Sequence, residues 1–102
     1  MITLLSGASG NGSGTPVTVT VYPMILAVWA DDFDSGAVTI EVTPDDGTTW
    51  IEIERNGVPL SYTANKVEQI SGLIPRGLDI RATLTGAGTP VNVNAALYEV
   101  TA

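Results

Sequence analysis

Residues 38–54, VTIEVTPDDGTTWIEIE, limit what this chain can become more than any other stretch. Val38, Ile40 and Val42 alternate with Thr39, Glu41 and Thr43, the two-residue period of a strand with one covered face. Pro44-Asp45-Asp46-Gly47 then breaks the run. Proline fixes φ, aspartate bonds its own backbone, and glycine supplies a positive φ where the turn needs one. Beyond the turn Thr49, Ile51 and Ile53 alternate with Trp50, Glu52 and Glu54. Two β-branched rows across one tight turn predict a β-hairpin.

The same period recurs on both sides. Ile2 to Leu5 reads as a short strand, and residues 6–14, SGASGNGSG, have the composition of a flexible segment. Val17, Val19 and Val21 alternate with Thr18 and Thr20 before Pro23, a residue that central strands exclude. Met24 to Ala30 is almost wholly apolar and reads as a buried strand, with Trp29 expected in the core. Residues 31–36 are a loop. Asn56-Gly57 predicts a two-residue hairpin turn between Ile51–Arg55 and Val58–Tyr62. Ser61 to Asn65 reads as loop, Val67 to Ile74 contains a strand with Gly72 at a bulge, and Pro75-Arg76-Gly77 is a turn. Leu78, Ile80, Ala82 and Leu84 share one strand face. After the turn at 86–90, so do Val91, Val93, Ala95 and Leu97. The expectation is an all-β fold, a β-sandwich or jelly roll of about seven to eight antiparallel strands. It is organised as a flexible N-terminal arm over 1–15 and a single β-sandwich domain over 16–102.

Composition excludes several functions. The chain has 102 residues, 44% hydrophobic and 15% charged, against the low hydrophobicity and high charge of disorder. Net charge is −7, and Arg55, Lys66, Arg76 and Arg81 are the only cations, too few and scattered for the basic stripe that nucleic acid requires. Anionic membranes are disfavoured for the same reason. There is no cysteine and no histidine, which removes disulfides, thiolate or imidazole metal sites, cysteine nucleophiles and Ser-His-Asp triads. MITLLSGASG lacks the basic start and long apolar core of a signal peptide, and no apolar run reaches membrane-spanning length. Synthesis and use without Sec export are expected.

Three groups of residues invite a chemical reading. Asp31, Asp32 and Asp34 crowd one loop and Asp45 and Asp46 another. Such oxygens suit Ca²⁺, but no glutamate closes a twelve-residue loop, and turn capping is the favoured reading, so no cofactor or metal is assigned. Glu41, Glu52 and Glu54 would lie close together across the hairpin. A carboxylate pair could serve a glycosidase, yet a solvated face with Arg55 or Arg81 as cross-strand partner is favoured. If Ile51 and Ile53 face the core, Trp50 faces outward beside Glu52 and Glu54, as an interface residue or a sugar platform; the opposing reading tucks it under a loop. Tyr22, Tyr62 and Tyr98 read as strand-end residues with wet hydroxyls, and the threonine-rich faces as wet sheet.

The segments EVTPDDGTTWIEIERNG at 41–57, GLIPRGLDIRATLTGAG at 72–88 and VNVNAALYEV at 91–100 resemble those of small structural proteins of tailed bacteriophages that decorate or cement capsids. Similar patterns occur in tail and neck components. The resemblance rests on turn and strand patterns and draws little from residues 1–37. It implies a sandwich or jelly-roll protein that acts by contact, as a dimer or trimer, with no catalytic residues. The expected partners are a major capsid protein and further copies of the chain, and the expected location is the capsid surface of the virion after synthesis in the host cytoplasm. Ile2, Leu4 and Leu5 are expected to anchor the arm on a neighbour and Trp50 to make a surface contact. Deleting residues 1–12 is then expected to spare the fold and abolish shell binding. A tail, neck or fibre-associated module and a carbohydrate-binding module built on Trp50 are the alternatives.

Overall fold

The computed structural model describes residues 1–23 and 25–99. Among them the regular elements are all strands, in the order β1 (Ile2–Ala8), β2 (Gly12–Ser13), β3 (Val17–Thr18), β4 (Ile25–Trp29), β5 (Ala37–Thr43), β6 (Ile51–Glu52), β7 (Glu54–Arg55), β8 (Val58–Pro59), β9 (Ser61–Tyr62), β10 (Lys66–Gln69), β11 (Asp79–Thr85) and β12 (Val93–Tyr98). All pairings are antiparallel. The first sheet runs β1-β12-β4-β10. The second runs β2-β11-β5-β6, with β3 also on β11 and β9 also on β5, while β7 and β8 form a separate ribbon.

The all-β expectation holds, with more and shorter strands than expected. The predicted hairpin is present: Glu41 pairs with Glu52 and Val42 with Ile51. Its second arm breaks at Ile53, so Ile51 is 52% exposed and Ile53 8%, and the two isoleucines do not share one covered face. Ile53 keeps the ladder going by donating its N–H to the Ile40 carbonyl at 2.9 Å. The turn is held as its sequence implies. Buried Thr43 accepts the Gly47 N–H at 2.7 Å on its hydroxyl, and Asp45 accepts the Thr49 N–H at 2.6 Å. Asn56 and Gly57 take φ values of 53° and 80°, both in the left-handed region, which is what a tight turn joining twisted strands requires.

One continuous core draws on both sheets. Leu26, Val28, Val93, Ala95 and Leu97 come from the first, and Val38, Ile40, Ile80, Ala82 and Leu84 from the second. The expected inward residues inside β11 and β12 are at most 1% exposed, but Leu78, expected on the same face as Ile80, is 39% exposed because it precedes β11, and Ala96 of the opposite phase is buried as well. Val91, expected on the same face as Val93, is 48% exposed because it lies outside β12. The alternating segment at 17–21 forms only the two-residue β3, although Val19 is fully buried. Residues 61–62, read both as the end of the arm Val58–Tyr62 and as the start of a loop, pair with β5. Met24 and Val100, expected in strands, lie outside the described residues.

The flexible arm over 1–15 is corrected. Residues 2–8 are β1, paired along β12 from Ile2 with Leu97 to Ala8 with Val93. Leu4 and Leu5 are 1% and 7% exposed, so hydrophobic burial fixes this segment inside the core. Gly14 then brings the chain back against β1 and donates to the Ala82 carbonyl at 2.9 Å, so close that a Cβ would overlap the Leu4 carbonyl. Trp29 is also corrected. It is 38% exposed, because Leu26 and Val28 take the inward phase of β4 and leave Ile25, Ala27 and Trp29 pointing outward.

Candidate functional site

The outward faces of the two sheets have different chemistry, which follows from the phase of each strand. On the second sheet β5 turns Thr39 and Glu41 outward, β11 turns Asp79, Arg81 and Thr83 outward, and β6 adds Glu52. Arg81 Nε donates to Glu41 Oε1 at 2.9 Å, the Thr83 hydroxyl donates to the same oxygen, and Ser13 and Thr83 share a hydrogen bond of 2.8 Å. The Arg81 guanidinium also lies 4.0 Å over the Trp50 ring, a stacking that suits a planar, weakly hydrated cation. The expected Arg81 partnership is therefore present, and Arg55 pairs instead with Glu68 at 2.5 Å. Glu54 belongs to β7 and pairs with Pro59, away from Glu41 and Glu52.

The first sheet is different. Its cross-strand register sets Val67, Ala27, Ala96 and Thr3 in one row, Gln69, Ile25 and Tyr98 in a second, and Trp29 and Asn94 in a third. None of these nine residues is charged, on a chain of net charge −7. The middle row has a floor of two alanines, 8% and 1% exposed, beside Val67 at 69%. The polar groups at its margin are occupied internally: Asn94 accepts the Gly7 N–H at 2.8 Å and donates to the Asn92 carbonyl at 2.8 Å, and the Tyr98 hydroxyl reaches Met1 Sδ at 3.1 Å. A shallow groove of about 470 Å³ continues past Tyr98 along Met1, Ile2, Thr20, Val21 and Pro23, with the carboxylate of Glu99 at its wall.

The acidic loops act as turn locks. Asp32 accepts the Asp34 N–H at 2.8 Å. The Asp34 carboxylate accepts the Thr89 N–H at 2.5 Å and its hydroxyl at 3.1 Å. These two bonds, the backbone one first, hold the Asp34 carboxyl below its ordinary range. Asp45 is lowered likewise, by the Thr49 hydroxyl and then its backbone N–H. Among the described residues no three His, Cys, Asp or Glu side chains converge as a metal site. Tyr62, expected to be wet, is 7% exposed, and its hydroxyl donates to Glu68 at 3.3 Å.

Of the expected contact residues, Leu4 and Leu5 are buried in the core, Ile2 is half-buried beside the groove, and Trp50 is half-buried beneath Arg81. The structure brings none of these four together as one surface. The uncharged face was missed, although β4 carries its signal: an apolar run in both phases marks a strand covered on both sides. No family model, no curated protein and no solved structure matches this chain.

Proposed function

We propose that this chain is a non-enzymatic structural protein of a tailed-phage virion, a decoration or cement protein that associates with copies of itself and stabilises the head. The observation that carries the reading is the uncharged outer face of the β1-β12-β4-β10 sheet. A protein that acts by contact needs a surface it can bury at low cost, and here one sheet face carries no charge, while Asp34, Asp45, Glu41, Glu68, Arg55 and Arg81 are engaged in holding turns and strands. The resemblance of the segments at 41–57, 72–88 and 91–100 supports the same class.

The strand order supports a jelly-roll sandwich beneath that surface. Setting aside the β7-β8 ribbon, and counting β2 with β3 and β6 with β9, twelve strands reduce to eight positions. The first sheet then reads 1-8-3-6 and the second 2-7-4-5. This interleaving of strands between two sheets favours a jelly roll, an architecture used by viral capsid and lectin domains.

A carbohydrate-binding module is the less favoured reading, because Trp50 is half-buried and Arg81 lies 4.0 Å over its ring, which leaves little of the indole open to a sugar. The test is co-sedimentation of the purified chain with mature, undecorated heads of its own phage. Saturable binding at a fixed ratio to the major capsid protein is the expected result. Absence of binding, with the chain recovered on tails instead, overturns the decoration role in favour of a tail or neck module.

A further inference from the structure

We propose that the uncharged outer face of the first sheet is a self-association surface, on which a second copy of this chain packs face to face about a two-fold axis. The inference rests on the reading of the chain as an assembling structural protein and names the partner of that surface.

Three observations select a second copy as the occupant. The first is charge. Two chains of net charge −7 repel wherever their carboxylates meet. The nine outward positions of β1, β12, β4 and β10 include no carboxylate, whereas the second sheet turns Glu41, Glu52 and Asp79 outward. Apposing the first-sheet faces keeps the acidic faces of the two copies on opposite sides of the pair. An uncharged surface likewise offers nothing for a charged partner to match.

The second observation is relief. The alanine floor of Ala27 and Ala96 runs between a row holding Ile25 and Tyr98 and a row holding Trp29. Those alanines are 8% and 1% exposed, so the face presents Val67 and Trp29, 69% and 38% exposed, above a closed floor, a low-relief patch that a two-fold axis can set against its own copy. The third is area. Four strands about 4.8 Å apart and about six residues long at roughly 3.3 Å each give a face of about 19 by 20 Å. With side-chain relief, two such faces bury on the order of 1,000 Å², the lower end for a specific interface. The pair is accordingly a weak one, with dissociation in the micromolar range or above.

The experiment is sedimentation velocity of the full chain without heads, from about 1 µM to about 1 mM, a span that brackets such affinities. Wild type, Val67→Glu and Val58→Glu are compared. Val67 and Val58 are 69% and 64% exposed and each lies in a strand, so both variants should still unfold cooperatively, with a similar small loss of stability. They add the same charge, one on the face and one at the tip of the β7-β8 ribbon. Wild type should pass from one to two times the 10.6 kDa chain mass. Val67→Glu should raise the dissociation constant at least about tenfold, roughly 1.4 kcal/mol, and Val58→Glu should leave it unchanged. A wild type that stays monomeric throughout overturns the inference. So does a dimer that survives Val67→Glu, or one that both variants weaken equally. Because no capsid is present, self-association and head binding succeed or fail separately.

Discussion

Tyr62 is the residue whose protonation this fold controls most strongly. Burial first, then the negative charge of Glu68 and the hydrogen bond to it, push the phenol from 10.0 up to about 12, against a smaller lowering by Arg55. Between these values the folded chain keeps a proton that the unfolded chain has released. Stability must therefore fall as pH rises through that window. Urea midpoints measured across pH 10 to 12 should drop more steeply for wild type than for Tyr62→Phe, which also loses the bond to Glu68; parallel curves would refute the assignment. The acid limb has the opposite sign. Asp34 and Asp45 lie below the ordinary 3.8, so their contribution is present above that value and is lost as pH falls through their lowered values. The aspartates of both loops were readable as turn formers because an Asx bond is local. The burial of Tyr62 was not, because its cover and its Glu68 partner come from strands that adjoin only in the folded chain.

At the scale of elements β1 changes the meaning of the N-terminus. Its glycine- and serine-rich continuation has the composition of a free arm, yet Leu4 and Leu5 are core residues and the strand pairs with β12. Burying two leucines is worth about 3–6 kcal/mol at roughly 1.5–3 kcal/mol each, a large share of the roughly 5–15 kcal/mol that stabilises a typical domain. Deleting residues 1–8 should therefore abolish cooperative thermal unfolding followed by circular dichroism. Gly14→Ala, which forces backbone against the Leu4 carbonyl, should lower stability by about 2–3 kcal/mol. A truncated chain that melts like wild type would return the segment to the role of an arm. The hairpin element was legible in both its arms and its turn. Its break at Ile53 was not, because the alternation continues unbroken through Ile51 and Ile53 and the break reflects which neighbours each can reach.

The whole molecule joins its two ends: β1, the first strand, lies beside β12, the last. Few of its pairings are local hairpins, so loop-closure entropy must be met before most contacts form. Refolding should take milliseconds to seconds, read by stopped-flow tryptophan fluorescence through Trp29 and Trp50; completion within microseconds would contradict a barrier set by long-range pairing. The two sheets also give the molecule two unlike sides. Carboxylates, arginine and threonine occupy one, and uncharged side chains the other. That polarity allows acidic copies to meet on one side and present the charged face elsewhere, as the decoration reading requires.

Alternation and turn chemistry act between residues two to four positions apart, so the sequence by itself determined the all-β class, most strand positions, the Asp-Gly and Asn-Gly turns and the inward residues of β5, β11 and β12. It also excluded thiol and imidazole chemistry outright, since the chain has no cysteine and no histidine. Only the tertiary structure decided that β1 belongs to the core, that Trp29 turns outward while Leu26 and Val28 turn inward, and that Trp50 lies under Arg81. The reason is that an apolar strand has two faces of similar hydrophobicity. Which one is covered depends on strands far away in the chain, and no local pattern records their arrival.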